Sequence, residues 1–165
     1  MQFLASLDLP EVAPEIGVAA SLLAFQCQND PGMCDEWDAD AGGNRVLLVQ
    51  EGAAVEMVVP PGPTTLSSVT KVALEPWAVD PENERLDAYL SAVASRSEIL
   101  GMAGGEPAWL QAEETPPCVC GQQMRFVAQI DSGASEEINF GDGGIGYCFI
   151  CTECPTQARF LWQCL

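Results

Sequence analysis

The residues with the clearest chemical meaning are two close cysteine pairs, Cys118–Cys120 and Cys151–Cys154. Structural zinc is held tetrahedrally by four soft ligands, and a pair on a tight turn supplies two of them at little entropic cost. Gly121 follows the first pair, where the backbone must turn sharply and aim its amides at sulfur. The pattern predicts a four-cysteine zinc site with no open coordination position, hence a structural metal. Buried free thiols, or one disulfide between the pairs, are the alternatives.

A second, wider cysteine pair stands near the N-terminus, at Cys27 and Cys34, with Asp30 and Asp35 close by. A zinc with mixed Cys and Asp ligands and a disulfide are both compatible with this spacing, and free thiols are the interpretation we favour. The remaining cysteines lie in apolar strands and are predicted to be packing residues: Cys148 and Cys164.

Charge and composition limit the partners of this chain. Its 165 residues include 24 acidic and 6 basic side chains, for a formal net charge of −18. Such a surface repels nucleic acid and anionic membranes and suits a basic protein partner. Hydrophobic residues make up 48% of the chain, enough for the core of one domain. Histidine is absent, so any metal site must use Cys, Asp or Glu.

The cysteines are predicted to lie in a reducing, cytoplasmic compartment. Residues 1–8 lack the basic region and the long apolar core of a signal peptide, and no segment approaches the ~20 apolar residues of a membrane span. In such a compartment, close cysteine pairs indicate metal ligands before disulfides. A secreted protein with four disulfides is the alternative.

Short strands dominate the pattern, with one clear helix, so we expect a β-rich α+β fold. The helix is predicted from Pro81 to Leu100, since Asp80 is a good N-cap and Pro81 suits the first helical position. Its apolar stripe is predicted to consist of Leu86, Tyr89, Leu90, Val93 and Ala94. Apolar segments between turn residues predict N-terminal and central strands at 1–8, 21–27, 45–50, 55–59 and 69–74.

The chain contains an internal repeat. Residues 1–8 and 124–131 agree at Met, Phe, Ala and Asp in the same order. Each segment is followed at a similar distance by a Phe-x-Cys sequence, and then by an apolar strand that begins with arginine. These matched features are Phe25 to Cys27 and Arg45 in the first half, and Phe149 to Cys151 and Arg159 in the second. We therefore expect two related β-sheet units in tandem.

The repeat sets the expected boundaries within a single domain of residues 1–165. The first unit spans 1–50, a connector with the helix spans 51–103, and the second unit spans 104–165. The second unit opens with a leader, residues 104–123, that carries Cys118 and Cys120. The first unit has no such leader, and we interpret it as N-terminally shortened.

The motifs of the second unit together resemble the YwqG-like family of bacterial proteins, and the same order resembles the programmed-cell-death-2-like proteins of eukaryotes. The motifs are the Gly-Gly-Glu-Pro-Ala-Trp-Leu-Gln segment, the Cys-Gly knuckle, the repeated strand, the Asn-Phe-Gly-Asp-Gly-Gly turn and the Tyr-Cys-Phe-Ile-Cys strand, at 104–111, 120–121, 124–131, 139–144 and 147–151. The shortened Cys-x-Cys knuckle and the missing first leader depart from the family pattern.

The resemblance implies a two-part β-rich fold without known catalytic residues. The eukaryotic relatives resemble dedicated escorts of a basic ribosomal protein, and some bacterial relatives resemble immunity proteins of toxin systems. We therefore expect a non-catalytic protein-binding module with a structural zinc, either an escort of a basic client or an immunity protein. A hydrolase that uses Asp131 and Asp142 as an acid–base pair is a further alternative, which no spacing demands.

Seven residues are candidates for contact with a partner. An acidic segment interleaved with tryptophan can hold Lys or Arg side chains by charge and cation–π contact, although a solvated loop with its tryptophan in the core is the interpretation we favour. A glutamine on an apolar strand needs a buried hydrogen-bond partner, which we expect to be the leader's backbone rather than a bound peptide. The candidates are Asp35, Glu36, Trp37, Asp38, Asp40, Trp109 and Gln129.

Overall fold

The first three strands form one antiparallel sheet, which we call the first sheet. In the computed structural model, β1 (Gln2–Asp8), β2 (Ser21–Gln26) and β3 (Asn44–Val49) pair in that order. A short helix, α1 (Leu9–Val12), and a 3-10 turn, Pro14–Ile16, connect β1 to β2. The structure describes residues 1–29, 32–50, 53, 71–78, 84–134, 138–154 and 156–165.

The last four strands form the second sheet. Its strands β4 (Gly101–Ala103), β5 (Arg125–Asp131), β6 (Ile145–Ile150) and β7 (Ala158–Gln163) are antiparallel neighbours in chain order. Every residue of β6 is buried, because this strand has neighbours on both sides and packed side chains on both faces. Two sheets and one main helix confirm the predicted β-rich fold class.

A core between the two sheets holds them together. Alternate residues of β2 and β3 turn inward and join residues of β5, β6 and β7 in a single apolar cluster. The Gln26 side-chain amide adds a hydrogen bond to the Asn139 carbonyl, at 3.1 Å, across the same interface. The buried members contributed by strands are Leu22, Ala24, Val46, Val127, Ala128, Ile130, Cys148, Ile150, Ala158 and Phe160.

The main helix is shorter than the sequence predicts. Helix α2 covers Arg85–Ser95, so the predicted extension to Leu100 is wrong, and the proposed cap at residues 80–81 lies outside the described residues. Arg96 leaves the helix in an extended conformation, and its amide donates hydrogen bonds to the carbonyls of Ala92 and Val93. The chain turns there because β4 must reach the edge of β5.

The predicted apolar stripe of α2 is also narrower than expected. Tyr89 is buried, and Leu86 and Val93 pack beside it. Leu90 is 40% exposed, and Ala94 also faces solvent. The helix therefore contacts the fold along one row of side chains rather than along a broad face.

Outside the two repeats, two strands were predicted and one strand of the structure was not. The predicted strand 55–59 lies outside the described residues. Within 69–74, residues 71–74 are described and form no strand. Strand β4 was not predicted, since three residues with two small side chains carry no alternation signal and only pairing with β5 makes them a strand.

The two sheets share a detailed register. In the first sheet Phe3 pairs with Phe25, and Phe25 pairs with Arg45. In the second sheet Phe126 pairs with Phe149, and Phe149 pairs with Arg159. Each phenylalanine pair is edge-to-face, with ring centroids 5.6 Å apart in the first sheet and 5.9 Å apart in the second.

Two backbone details also recur at matching places. The register shifts between Phe3 and Ala5 in β1 and between Phe126 and Ala128 in β5. Just beyond β2 the Cys27 amide donates to the Gly43 carbonyl at 2.8 Å, and just beyond β6 the Cys151 amide donates to the Gln157 carbonyl at 2.9 Å. The positions matched by the sequence therefore also match in strand pairing.

Candidate metal centre and the leader that completes it

Four cysteines from two distant segments come together at one end of the second sheet. The sulfur atoms of Cys118, Cys120, Cys151 and Cys154 all lie within 4.8 Å of one another, and the Cys120 and Cys151 sulfurs are 3.7 Å apart. Zn–S bonds of about 2.3 Å in a tetrahedron separate the sulfurs by about 3.8 Å. The donor set and its spacing fit one zinc ion, as the sequence predicts.

A tight turn presents the first ligand pair. The Gly121 amide donates to the Cys118 carbonyl, and the Cys118 amide donates to the Gln122 carbonyl, both at 2.8 Å. Gly121 has φ of 87°, a left-handed conformation that side chains disfavour. The glycine after the pair therefore has the predicted role of turning the backbone, and a bridge between Pro117 and Gln123 closes the hairpin.

The connection from β6 to β7 presents the second pair. Cys151 follows β6 directly, and the Gln157 amide donates to the Cys154 carbonyl at 2.9 Å before β7 begins. The amides of Glu153 and Cys154 donate to the Cys151 sulfur. Amide donors around sulfur are the arrangement that stabilises a metal-bound thiolate.

The four thiols form one hydrogen-bonded electrostatic unit. The Cys120 amide lowers the pKa of Cys118 to about 7, whereas burial raises the pKa of Cys151. Hydrogen bonding to Cys120 raises the pKa of Cys154 to about 12. Without metal, the cluster therefore gives up one proton far more readily than the others, and a divalent cation is what would favour loss of the rest.

The leader crosses the outer face of the second sheet before it reaches the metal ligands. Three of its backbone amides, those of Ala108, Leu110 and Gln111, each donate to a side-chain oxygen of the sheet. The acceptors are Gln129 Oε1 at 2.9 Å, Tyr147 Oη at 3.0 Å and Gln163 Oε1 at 2.9 Å, one from each of β5, β6 and β7. The sheet thus binds the leader's backbone through side chains.

Two of these side chains also donate to the leader. The Tyr147 hydroxyl donates to the Ala108 carbonyl at 3.0 Å, and the Gln163 amide donates to the Ala112 carbonyl at 2.8 Å. Gln129 therefore takes the role we favoured, as an acceptor for the leader's backbone. Tyr147 and Gln163 were not identified from the sequence, although a polar end on an apolar strand is the same signal that singled out Gln129.

Trp109 fixes the leader to the sheet through its ring. The indole stacks on Phe149 with centroids 5.8 Å apart and an interplanar angle of 15°, and it also lies against Tyr147 at 4.6 Å. Beside it is an open groove with a volume of about 460 Å³. The groove is lined by Gly105, Glu106, Pro107, Trp109, Glu113, Thr115, Met124, Arg125, Phe126 and Phe149.

The second cysteine pair lies at the matching end of the first sheet. Cys27 and Cys34 are partly exposed thiols that are not joined by a disulfide. The Asn29 amide, and next the Cys34 thiol, lower the pKa of Cys27 by hydrogen bonding. Asp30 lies outside the described residues, and among those described no third candidate ligand joins the pair in a cluster.

Two side chains of the acidic segment 35–40 hydrogen-bond to backbone amides of their own loop, which the sequence did not indicate. Glu36 is only 1% exposed, and its carboxylate accepts hydrogen bonds from the Gly32 and Cys34 amides within its own loop. Asp38 accepts from the Asp40 and Ala41 amides.

The rest of that segment reaches the surface. Trp37 is 41% exposed and lies edge-to-face against Trp162, with centroids 6.3 Å apart. Its indole is therefore at the surface rather than in the core. The exposed Asp40 pairs with Arg159 at 3.0 Å, and Asp35 is exposed with φ of 49°.

The two cysteines predicted to be packing residues and the two aspartates of the hydrolase alternative lie among packing or hydrogen-bond contacts of the fold. Cys148 is a buried core residue, and burial raises its pKa to about 12. The Cys164 carbonyl accepts from the Gln111 side chain at 2.8 Å. Asp131 accepts hydrogen bonds from the Tyr89 hydroxyl and the Gly133 amide, and the Asp142 carbonyl accepts from the Leu165 amide.

Comparisons with known proteins found a relative that matches part of this chain. A stretch of 61 residues is 43% identical to the uncharacterised protein YpfL of Salmonella typhimurium (strain LT2). The match covers 36% of this chain but only 14% of that protein's length. No family model matches the chain, and no solved structure matches it. Among the described residues, no helix combines the length and apolar character that crossing a membrane requires.

Proposed function

We propose that this chain is a non-catalytic protein-binding module, stapled by a structural zinc, that escorts a basic client protein in the cytoplasm. The observation that carries the proposal is the four-thiol cluster. Four sulfurs occupy all the positions of a tetrahedral zinc, so no position is left for a substrate or an activated water. The metal's role is then to hold the leader, and the groove beside it, against the second sheet.

The groove beside Trp109 is the surface we assign to the client. The partly exposed ring of Trp109 lies next to the carboxylates of Glu106 and Glu113, and the buried rings of Phe126 and Phe149 lie beneath it. Aromatic rings beside carboxylates attract lysine and arginine side chains, and the net charge of −18 draws such a client from a distance. Arg125 also lines the groove and would favour a carboxylate among the client's basic residues.

The shared strand register supports descent of the two sheets from one repeated unit. We infer from it, and from the motif order of the second unit, a relation to the YwqG-like and programmed-cell-death-2-like proteins. An escort of a basic protein is the role that relation implies. A neighbouring toxin as the captured client would instead identify an immunity protein.

The experiment is a tagged pull-down at low salt from the native host, with the client identified by mass spectrometry and zinc measured in the same eluate. We expect one basic protein near stoichiometry, released as ionic strength rises, and about one zinc per chain. Absence of an enriched basic protein, or capture of the client that does not change with ionic strength, would overturn the client assignment. Absence of zinc would overturn the metal assignment.

A matched pair of charge reversals tests the groove itself. Glu106 is in the groove, with a side chain that is 82% exposed, whereas Glu11 is an exposed residue of α1 on the other sheet's connection. Glu106→Lys and Glu11→Lys change the net charge equally. Capture of the basic client should fall about tenfold more in Glu106→Lys than in Glu11→Lys. An equal loss in both variants would show that only the net charge of the chain matters.

A further inference from the structure

The outer face of the first sheet is apolar, and its large side chains are partly exposed. Strand pairing places three rows of side chains on it: Phe3, Phe25 and Arg45, then Ser6, Leu23 and Leu47, then Asp8, Ser21 and Val49. Phe3 is 41% exposed and Leu47 is 42% exposed, while Phe25, Leu23 and Val49 are partly exposed. Large apolar side chains thus form a contiguous exposed patch, which is the usual mark of an interaction surface.

The matching face of the second sheet shows what such a face contacts when it is covered. Its rows are Phe126, Phe149 and Arg159, then Gln129, Tyr147 and Leu161, then Asp131, Ile145 and Gln163. There the leader and α2 exclude water, so Phe126, Phe149 and Leu161 are buried. Their counterparts Phe3, Phe25 and Leu47 have the same chemistry and are partly exposed.

The differences between the two faces identify the kind of occupant. The three side chains that hydrogen-bond the leader's backbone are Gln129, Tyr147 and Gln163, and the first sheet has Ser6, Leu23 and Val49 at those positions. An extended segment laid on Leu23 and Val49 would bury amides without acceptors, which costs about 1–3 kcal/mol for each one. A helix satisfies its own backbone and loses nothing on an apolar face.

Size and charge agree with a helix from a basic partner. Three strands of six or seven residues present a face about 20 Å long and about 10 Å wide, which matches the diameter of one helix. A second copy of the chain would bring another −18 charges and repel the first. Arg45 and Asp8 lie in the end rows of the face and can orient a helix that carries both signs.

We propose that the outer face of the first sheet binds an amphipathic helix with cationic flanks, presented by a partner protein. This inference rests on the proposed function in one respect, that the chain acts through contact with a basic protein. It adds a second surface, on the other sheet from the groove beside Trp109, and a recognition chemistry that is apolar at its centre. The partner's apolar stripe would cover Phe25, Leu23 and Leu47.

A defined peptide tests the face without knowledge of the partner. The probe is an amphipathic leucine–lysine peptide of about 18 residues, long enough to span about 27 Å as a helix. The control peptide has the same composition in an order that breaks the stripe, so its charge is equal. We expect the full zinc-loaded chain to bind the amphipathic peptide about tenfold more tightly than the control peptide, by fluorescence anisotropy.

Two leucine variants locate the binding. Leu47 and Leu90 are similarly exposed, at 42% and 40%, but Leu90 belongs to α2. Leu47→Ser should weaken peptide binding about tenfold, as should Phe3→Ser, whereas Leu90→Ser should not change it. Circular dichroism would establish that each variant is folded.

Four outcomes would overturn the inference. Equal affinity for the two peptides would show that charge alone drives binding, and equal loss in Leu47→Ser and Leu90→Ser would place the site elsewhere. Self-association of the chain that Leu47→Ser abolishes, measured by sedimentation, would make a second copy the occupant. If the pull-down captures a basic protein equally with wild type and Leu47→Ser, the proposed function stands and this inference fails.

Discussion

The outer faces of the two sheets share a framework but differ at four of nine positions, and three of these hydrogen-bond the leader in the second sheet. Both present a phenylalanine pair, an arginine and a leucine at matching places. Where Gln129, Tyr147 and Gln163 offer oxygens, a leader is bound and two cysteines arrive with it. The comparison shows that a few hydrogen-bonding side chains decide whether a sheet face can hold an extended segment, since apolar area alone leaves amides unsatisfied.

The largest expected difference between the two regions concerns their cysteines. Cys151→Ser should remove the bound zinc and lower the free energy of unfolding by several kcal/mol, because metal binding contributes directly to folding in such sites. Cys27→Ser, at the matching strand end, should leave the zinc content unchanged. Zinc analysis and urea unfolding measure both effects. Zinc retained in Cys151→Ser, or lost in Cys27→Ser, would contradict the assignment of the metal to the second unit.

The next effect separates the two faces of the first sheet. Leu22 is fully buried between the sheets and Leu47 is 42% exposed on the outer face. Leu22→Ala should cost about 2–5 kcal/mol of unfolding free energy, since it leaves a cavity. Leu47→Ala should stay within about 0.5 kcal/mol. A large loss in Leu47→Ala would mean that the outer face is covered by the chain itself.

A smaller effect tests the side chains that hold the leader. Gln129→Leu leaves the Ala108 amide buried without its acceptor, so we expect a loss of about 1–3 kcal/mol in urea unfolding. The matching change on the first sheet, Ser6→Leu, removes no such contact and should stay within about 0.5 kcal/mol. Equal effects of the two substitutions would show that the leader does not depend on Gln129.

A further effect is a stability change at high pH that reports on the second sheet and on the helix packed against it. The chain has two tyrosines, and burial raises the pKa of both, that of Tyr147 to about 12. The unfolded chain loses these protons near pH 10, so the stability they contribute is present below about pH 10 and is lost as the pH rises toward 12.

Unfolding at several pH values, with phenolate absorbance as the probe, measures this loss. Tyr147→Phe should make the decline in stability above about pH 10 shallower. Phenolate absorbance should rise together with unfolding rather than before it. Ionisation of both tyrosines at their ordinary pKa in the folded chain would show that the leader leaves the sheet open to water.

Much of this molecule follows from local patterns. Cysteine spacing identified the two candidate ligand pairs because tight turns bring near neighbours together, although only the folded sheet brings the two pairs to one place. Apolar segments between turn residues predicted β1, β2 and β3, and the repeat extended the strand prediction to β5, β6 and β7. The polar Gln129 on an apolar strand indicated a buried partner, and it has one.

Tertiary structure decided the features that depend on distant residues. Helix α2 ends at Ser95 because β4 must pair with β5, and β4 exists only through that pairing. The acidic neighbours of Glu36 predicted a solvated surface, but Glu36 is buried because its carboxylate accepts hydrogen bonds from two loop amides. The roles of Tyr147 and Gln163 emerge only when the leader crosses three strands, because a hydrogen bond between segments far apart in sequence leaves no periodic trace in either one.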